Sequence, residues 1–468
     1  MTGSKKIIKN MFSLTVAEIA NKGIIFIFNA YLARVIFPEG FGIISFANAI
    51  LVYFLLFVNL GFNVVGAREI AKSQEQIGKY ANTIITIRTL IAVLAYASLF
   101  VITLSLNKPL LVKQTIWIAG LNLFANAILL DWVYHGTERM EFLAMRQVIT
   151  SLLNLIGVVL LVHSRNDIVI AMLITVISTT LNSIWMLMLY VKMYGKIRIE
   201  FDWSFLKPLL KSSIPISFSV FSVTIMNTLN IVMLSMFRTD QETGIYNAAY
   251  KILLLSIVPS VILQNAFFPA ISRAKTIEER RNVISKFSML MFLFASILTI
   301  GSFTFSDFII IFTFGNQYMD SILILQMLML TSLLMYYNIF CTVPLNGWNK
   351  EKDVMYSIIA GALVSIVLNT ILIPKYGSVG AAMGTIASEV IVGICLTYYL
   401  YKSTNKYYLI PLLKFVLFSG ISCGLGYLVH INGIHSVIGG LVSIIVFILL
   451  NMIFKTVTIK ELKGYLKK

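Results

Sequence analysis

PEGFGIISFANAI, residues 38 to 50, aligns without a gap on DQETGIYNAAYKI, residues 240 to 252, at an offset of 202 residues that pairs Gly42 with Gly244 and Ile50 with Ile252. Each segment follows one long apolar stretch and opens another. Outward from these segments, each copy holds six apolar stretches and carries a charged segment after its second, 66 to 82 in the first copy and 272 to 286 in the second. An even number of crossings leaves both copies in the same orientation. The pattern therefore predicts parallel repeats related by an axis along the membrane normal, with a site at their interface near the midplane.

The composition requires a bilayer. The 468 residues are 58% hydrophobic and only 12% charged, with a mean hydropathy of +0.88. A soluble protein could not bury that much apolar side chain. Apolar runs between polar breaks predict an all-α integral membrane protein of fourteen transmembrane helices. The first seven cover 11–33, 41–65, 83–106, 114–133, 147–162, 168–190 and 213–237; the others cover 245–271, 286–312, 321–345, 354–373, 379–401, 409–429 and 434–454. The first is too long for a signal-peptide core and carries Glu18 and Lys22, so it reads as a retained span.

Lysine and arginine alternate between loops as the positive-inside rule requires. Of the 37 basic residues, 27 fall on the side holding both termini, 6 on the opposite side, and 4 inside spans. Both ends are thus expected in the cytoplasm. The net charge of +17 reflects this loop bias rather than a nucleic-acid surface. Residues 1–190 form the predicted first lobe, 191–211 a cytoplasmic linker, 212–401 the second lobe, and 402–468 the last two spans and a basic tail. Two such six-helix lobes around a central cavity describe a carrier that rocks between two accessible states. An enzyme is not expected, because no GxxxxGK[ST] or HExxH motif occurs and the longest external loop, 307–320, lacks Lys, Arg and His. Cys341, Cys395 and Cys423 stand apart in apolar stretches, and neither a metal site nor a cofactor is expected.

Charges at helix centres cost roughly 2.5 to 3.5 kcal/mol each, so those that persist are candidates for function. Glu18, Lys22 and Asn29 share one face of the first span; they either neutralise one another against a neighbouring helix or line a wet cavity. Lys251 has no acidic residue within one turn and can bind a ligand or snorkel outward. Asn247 lies on the same polar face. Glu389, in the twelfth span, is either a coupling site for protons or Na⁺ or a hydrogen-bonded structural carboxyl, and Glu18 is a second coupling candidate. Asn48 and Asn59 in the second span and Asn227 in the seventh are cavity-lining candidates, or amides that join helices. Arg88 and Lys414 lie near cytoplasmic ends, where they are expected to snorkel. Asp131, Glu138 and Arg139, at the inner end of the fourth span, form a candidate cytoplasmic gate.

YLARVIFPEGFGIISFANAI (31–50), GFNVVGAREIAK (61–72), DWVYHGTERM (131–140) and LIPKYGSVGAAMGTIASE (372–389) resemble the polysaccharide-transporter branch of the multidrug/oligosaccharidyl-lipid/polysaccharide exporter superfamily, the repeat-unit flippases of O-antigen and lipopolysaccharide biosynthesis among them. The resemblance covers essentially the whole chain. It implies a bacterial inner-membrane protein that flips an undecaprenyl-diphosphate-linked oligosaccharide to the periplasmic leaflet by alternating access. Lys22, Lys251 and Arg34 would then hold the diphosphate, and amides would face the sugars. H⁺ or Na⁺, surrounding membrane lipid and a polysaccharide polymerase are the partners it suggests. A drug antiporter of the same superfamily is the rival reading, although such proteins typically stop at twelve spans.

Overall fold

The computed structural model describes residues 3–431 and 436–454. The side chains of Lys5, Lys6 and Lys9, and the basic tail from residue 455 onward, lie outside the described residues. All regular structure among the described residues is helical. Among the described residues, ten helices are long and apolar enough to cross a membrane, and two shorter apolar stretches, Leu412–Gly426 and Ile438–Ile453, follow them. The chain divides into two compact units, Met1–Gly244 and Ile245–Lys468.

The first unit opens with α1 (Gly3–Asn59), which carries the first two predicted spans. An unbroken helix of 57 residues would reach about 85 Å, nearly three times the roughly 30 Å hydrocarbon core, so it must turn. The turn comes at Phe37, with φ 61°, just before Pro38. Proline supplies no N–H and disfavours the helical region in the residue before it. The guanidinium of Arg165 sits 3.5 Å from the Phe37 ring centre, and the Tyr31 hydroxyl donates to the Val162 carbonyl at 3.0 Å. Both hold the corner.

A second break, at Leu60 (φ 39°) and Gly61 (φ 70°), separates α1 from α2 (Phe62–Lys72). α3 (Ile77–Ser105) is continuous. The fourth span is divided into α4 (Leu110–Gly120), α5 (Asn122–Ala127) and α6 (Asp131–Gly136). The motif 131–140 explains the last piece: Trp132 and Tyr134 are fully buried, and the Tyr134 hydroxyl donates to the Met186 carbonyl at 2.8 Å. A Cβ on Gly66 of α2 would fall 2.4 Å from the Trp132 ring, so only glycine admits this crossing.

α7 (Met140–Leu161) and α8 (Ile168–Tyr194) follow, then α9 (Trp203–Phe237) and α10 (Asp240–Ser256). The stretch read as a linker is strapped along α3. The Asn82 side chain accepts from the Arg198 amide at 2.9 Å and donates to Glu200 at 3.2 Å. Thr86 accepts from the Glu200 amide at 3.1 Å, and Lys79 pairs with Asp202 at 3.2 Å. The Ser204 hydroxyl, the Phe205 amide and Lys79 hold the Asp202 carboxyl down at about 2. That carboxylate caps α9, so the last residues of the stretch are already helical.

In the second unit α10 continues, followed by α11 (Val258–Arg273) and α12 (Ile277–Thr304), the latter opened by a capping box of Thr276 and Glu279. α13 (Ser306–Phe314) and α14 (Ser321–Gly347) lead to α15 (Glu351–Thr404). α15 turns at Gly377 (φ 56°), three residues after Pro374, and so carries both the eleventh and twelfth predicted spans. α16 (Leu409–Ile431) and α17 (Ser436–Ile453) correspond to the last two.

Candidate functional site

The segments that disclosed the repeat meet in the first unit. A Cβ on Gly42 would fall 1.7 Å from the Asp240 carbonyl oxygen, and one on Gly244 would fall 1.9 Å from the Pro38 carbonyl oxygen. Residues 38 and 240, and 42 and 244, are the pairs related by the 202-residue offset. The contact is therefore reciprocal, as a local two-fold relation requires. Asp240, at the start of α10, accepts from the Ser235 hydroxyl at 2.5 Å and pairs with Lys108 at 2.8 Å. The Lys108 and Asp240 side chains are only 14% and 12% exposed, and the ammonium also lies 5.6 Å from the Phe46 ring centre. This end of the unit, assigned to the exterior by the sequence, is closed by backbone contact and a largely buried ion pair.

The same two spans stay together along their length. The Thr228 hydroxyl donates to the Tyr53 hydroxyl at 3.0 Å, and Tyr53 meets Phe221 edge to face at 6.3 Å. Below them Leu56, Phe57, Leu60, Ile214, Ser217, Phe218 and Phe221 line an apolar cavity of about 180 Å³. A Cβ on Gly61 would fall 2.7 Å from the Ser213 carbonyl oxygen. From Gly42 to Gly61 a helix rises roughly 28 Å, so the seam between α1 and α9 crosses the hydrocarbon core.

The residues singled out from the sequence are distributed as follows. Lys22 and Glu18 approach to 3.9 Å, each 40% or more exposed. Asn29 is buried and donates to its own helix at Ile25, 2.6 Å away. Arg34, Asn48 and Asn227 are exposed, and Asn247 is buried. No carboxylate lies within ion-pair distance of Lys251 among the described residues. In the second unit Asn338 donates its amide to the Glu389 carboxylate at 2.6 Å and to the Glu389 carbonyl at 3.0 Å. Tyr246 and Thr385 share a hydrogen bond of 3.2 Å.

The Asn338–Glu389 contact predicts a measurable asymmetry. Asn338→Leu strips the carboxylate of its donor and is expected to cost about 1–3 kcal/mol, whereas Asn338→Leu with Glu389→Leu removes both partners and costs less. Thermal unfolding of the parent and the two variants in detergent checks the order.

At the other end of the first unit Asp131 pairs with Arg146 at 2.8 Å. Glu138 and Arg139 are exposed and make no ion pair among the described residues. Arg88 corrects the expectation of snorkelling, for it is 1% exposed and turned inward. Its Nη2 donates to Asn59 Oδ1 and, at 2.8 Å, to the Asn126 carbonyl. Its Nη1 reaches the Leu129 carbonyl at 3.3 Å and Asn63 Oδ1 at 3.5 Å. The Asn59 and Asn63 side-chain oxygens beside the break in the second span and the Asn126 and Leu129 carbonyls at the break in the fourth are thus served by one guanidinium, which donates several hydrogen bonds at once. Asn59 and Asn63, four residues apart around Gly61, were the available signal in the sequence.

Comparison with known proteins agrees with this architecture. A protein of Shigella dysenteriae described as "Putative O-antigen transporter" is 24% identical over 387 residues, 82% of this chain and 97% of its own length. Among solved structures, the lipid II flippase MurJ in an inward closed conformation superimposes with a TM-score of 0.76 at 17% identity, covering 94% of this chain and 98% of that one. An inward-facing multidrug resistance MATE family transporter of the MOP superfamily gives 0.58 at 14% identity, covering 84% and 96%. The helical transporter fold is thus shared with both. Residues 7–275, more than half of the chain, match the polysaccharide biosynthesis protein family, and this multi-pass membrane protein belongs to it.

Proposed function

We propose that the protein flips a polyprenyl-diphosphate-linked oligosaccharide across a bacterial cytoplasmic membrane during synthesis of O-antigen or another surface polysaccharide, without chemistry of its own. The sugar head cannot enter hydrocarbon and the polyprenyl tail cannot leave it, so the carrier shelters the head in a hydrated cleft open sideways to lipid. In this reading the chain makes fourteen crossings with both termini in the cytoplasm. Residues 1–190 and 212–401 form the rocking lobes, 191–211 links them, and 402–468 supplies two further spans and the tail.

The observation that carries the alternating-access reading is the reciprocal packing of Gly42 and Gly244, because repeat-related residues that meet at one end form a closure that rocking can release. The substrate class rests on the O-antigen name of the Shigella relative, which this chain matches over most of its length. Helices α16 and α17, beyond the twelve spans of the repeats, favour this reading over drug antiport.

Lys22, Lys251 and Arg34 hold the diphosphate, while Asn29, Asn48, Asn227 and Asn247 offer hydrogen bonds to sugars and Asn59 lines the cavity beside Arg88. Asp131, Glu138 and Arg139 belong to the cytoplasmic gate. An inside-negative potential favours outward passage of two negative charges by about 4 to 5 kcal/mol at 100 mV. Glu18 or Glu389 adds coupling to H⁺ or Na⁺, and a polysaccharide polymerase receives the product. Lys22→Ala combined with Lys251→Ala is expected to abolish surface polysaccharide in a deletion strain while the protein still inserts at parental abundance. Parental polysaccharide from that double variant rejects the binding role of the two lysines.

A further inference from the structure

Arg88 is the one fully buried arginine among the described residues, and its partners determine what the break in the second span presents. A guanidinium can only donate, so the amide atoms of Asn59 and Asn63 that face it are necessarily their oxygens. Both Nδ2 groups are thereby turned away from Arg88 as donors. Asn63 is exposed and Asn59 half-buried, and neither Nδ2 has an acceptor among the described residues. The N-terminus of α2, between the two asparagines, has no side-chain cap and adds its partial positive charge. Behind them Arg88 is within ion-pair distance of no carboxylate among the described residues. Asp131, whose charge bears on it, is engaged by Arg146 at 2.8 Å. Arg88 Nε is itself buried without a partner.

We propose that the Asn59–Asn63 amide pair is a phosphate-binding subsite at the end of the second span, with Arg88 as the positioning residue that aims both amides and supplies the positive field. Amide donors without acceptors, beside a cation with no carboxylate within ion-pair distance among the described residues, select an oxyanion rather than a neutral sugar hydroxyl. The charged segment 66–82 follows directly, which places the subsite at the mouth that the proposed topology assigns to the cytoplasm, where a lipid-linked diphosphate would first be captured. The assignment of the diphosphate rests on the function proposed above. Arg88 also ties this break to that of the fourth span through Asn126 and Leu129, so occupancy of the subsite is transmitted to the gate region around Asp131.

The test uses full-length protein and compares the parent, Asn59→Asp with Asn63→Asp, and Arg88→Lys. Aspartate keeps the size and the link to Arg88 as an ion pair, but replaces both donors by repelling acceptors. Binding of a fluorescent polyprenyl diphosphate is measured in detergent, with inorganic diphosphate and phosphatidylglycerol as competitors, alongside thermal unfolding. The double aspartate variant is expected to bind at least 10-fold more weakly with undiminished thermal stability. Arg88→Lys, which keeps the charge but frees the amides to rotate, is expected to weaken binding about 3- to 10-fold. Inorganic diphosphate should displace the lipid from the parent, and phosphatidylglycerol should not. Parental affinity in the double aspartate variant overturns the subsite while leaving the proposed function standing. Equal displacement by phosphatidylglycerol overturns it in favour of a bulk-lipid contact. A parent that neither binds nor flips the lipid diphosphate overturns the functional reading itself.

Discussion

Gly42→Leu is expected to reduce transport by more than 100-fold, with Gly244→Leu equivalent to it. Ordinary carbon contacts lie near 3.5–4 Å, but the first side-chain carbon at these positions would stand 1.7 and 1.9 Å from backbone oxygens of the crossing segment. No rotamer relieves a clash at Cβ. The segments must separate by about 2 Å, which parts Lys108 from Asp240 and exposes the residues beneath. Alanine is already too large, and leucine should hold this end open. The readout is Ser235→Cys, at a residue that is fully buried in the closed form, introduced after Cys341, Cys395 and Cys423 are replaced by serine. A membrane-impermeant maleimide should leave it unmodified in the parent and label it rapidly in the leucine variants. Parental transport by Gly42→Leu would show that the contact is not part of the cycle.

Asp240→Ala should have the next largest effect. Removing one member of a largely buried ion pair leaves the other charge without compensation, a loss that reaches 3–5 kcal/mol for fully buried pairs. With 12–14% exposure remaining, about 2–4 kcal/mol is expected here, or roughly 30- to 700-fold in the balance between closed and open forms. Asp240→Ala should exceed Lys108→Ala, because it also orphans the Ser235 hydroxyl and removes a negative charge from the first turn of α10. Exchange of the two charges, Lys108→Asp with Asp240→Lys, should recover part of the function but not all, since lysine cannot accept from Ser235. The measurement is the transport rate of each variant with Ser235 in place. Equal effects of the two alanine variants, or no recovery on exchange, would remove the pair from the closure.

The sequence disclosed the architecture because the bilayer leaves few alternatives. Apolar runs of about 20 residues and the alternation of Lys and Arg define spans independently of packing. The repeat was legible at Gly42 and Gly244 for a related reason: close crossing of two helices tolerates no Cβ, so both copies carry glycine at the same offset. The turns at Phe37 and Gly377 were less visible, since apolar residues flank them and only a proline nearby marks the place. Arg88 was misread because distance along a helix from the membrane boundary says nothing about which way the arm points. Its direction is set by the Asn59 and Asn63 side-chain oxygens beside Gly61 and by the Asn126 and Leu129 carbonyls, acceptors that only tertiary packing brings together. The pairing of Asp131 with Arg146 rather than with Arg139 has the same origin. α6 ends at Gly136, and the chain turns through Glu138 at φ 56° before α7 brings Arg146 back.

The most direct measurement of the central claim is leaflet exchange in proteoliposomes that contain a fluorescent polyprenyl-diphosphate-linked oligosaccharide. An impermeant quencher reports the fraction of label in the outer leaflet over time. The account predicts rapid loss of the protected inner fraction with the parent, acceleration by an imposed potential of the favourable sign, and no exchange with Gly42→Leu. Protection as persistent as in protein-free vesicles, under either sign of potential, would contradict it.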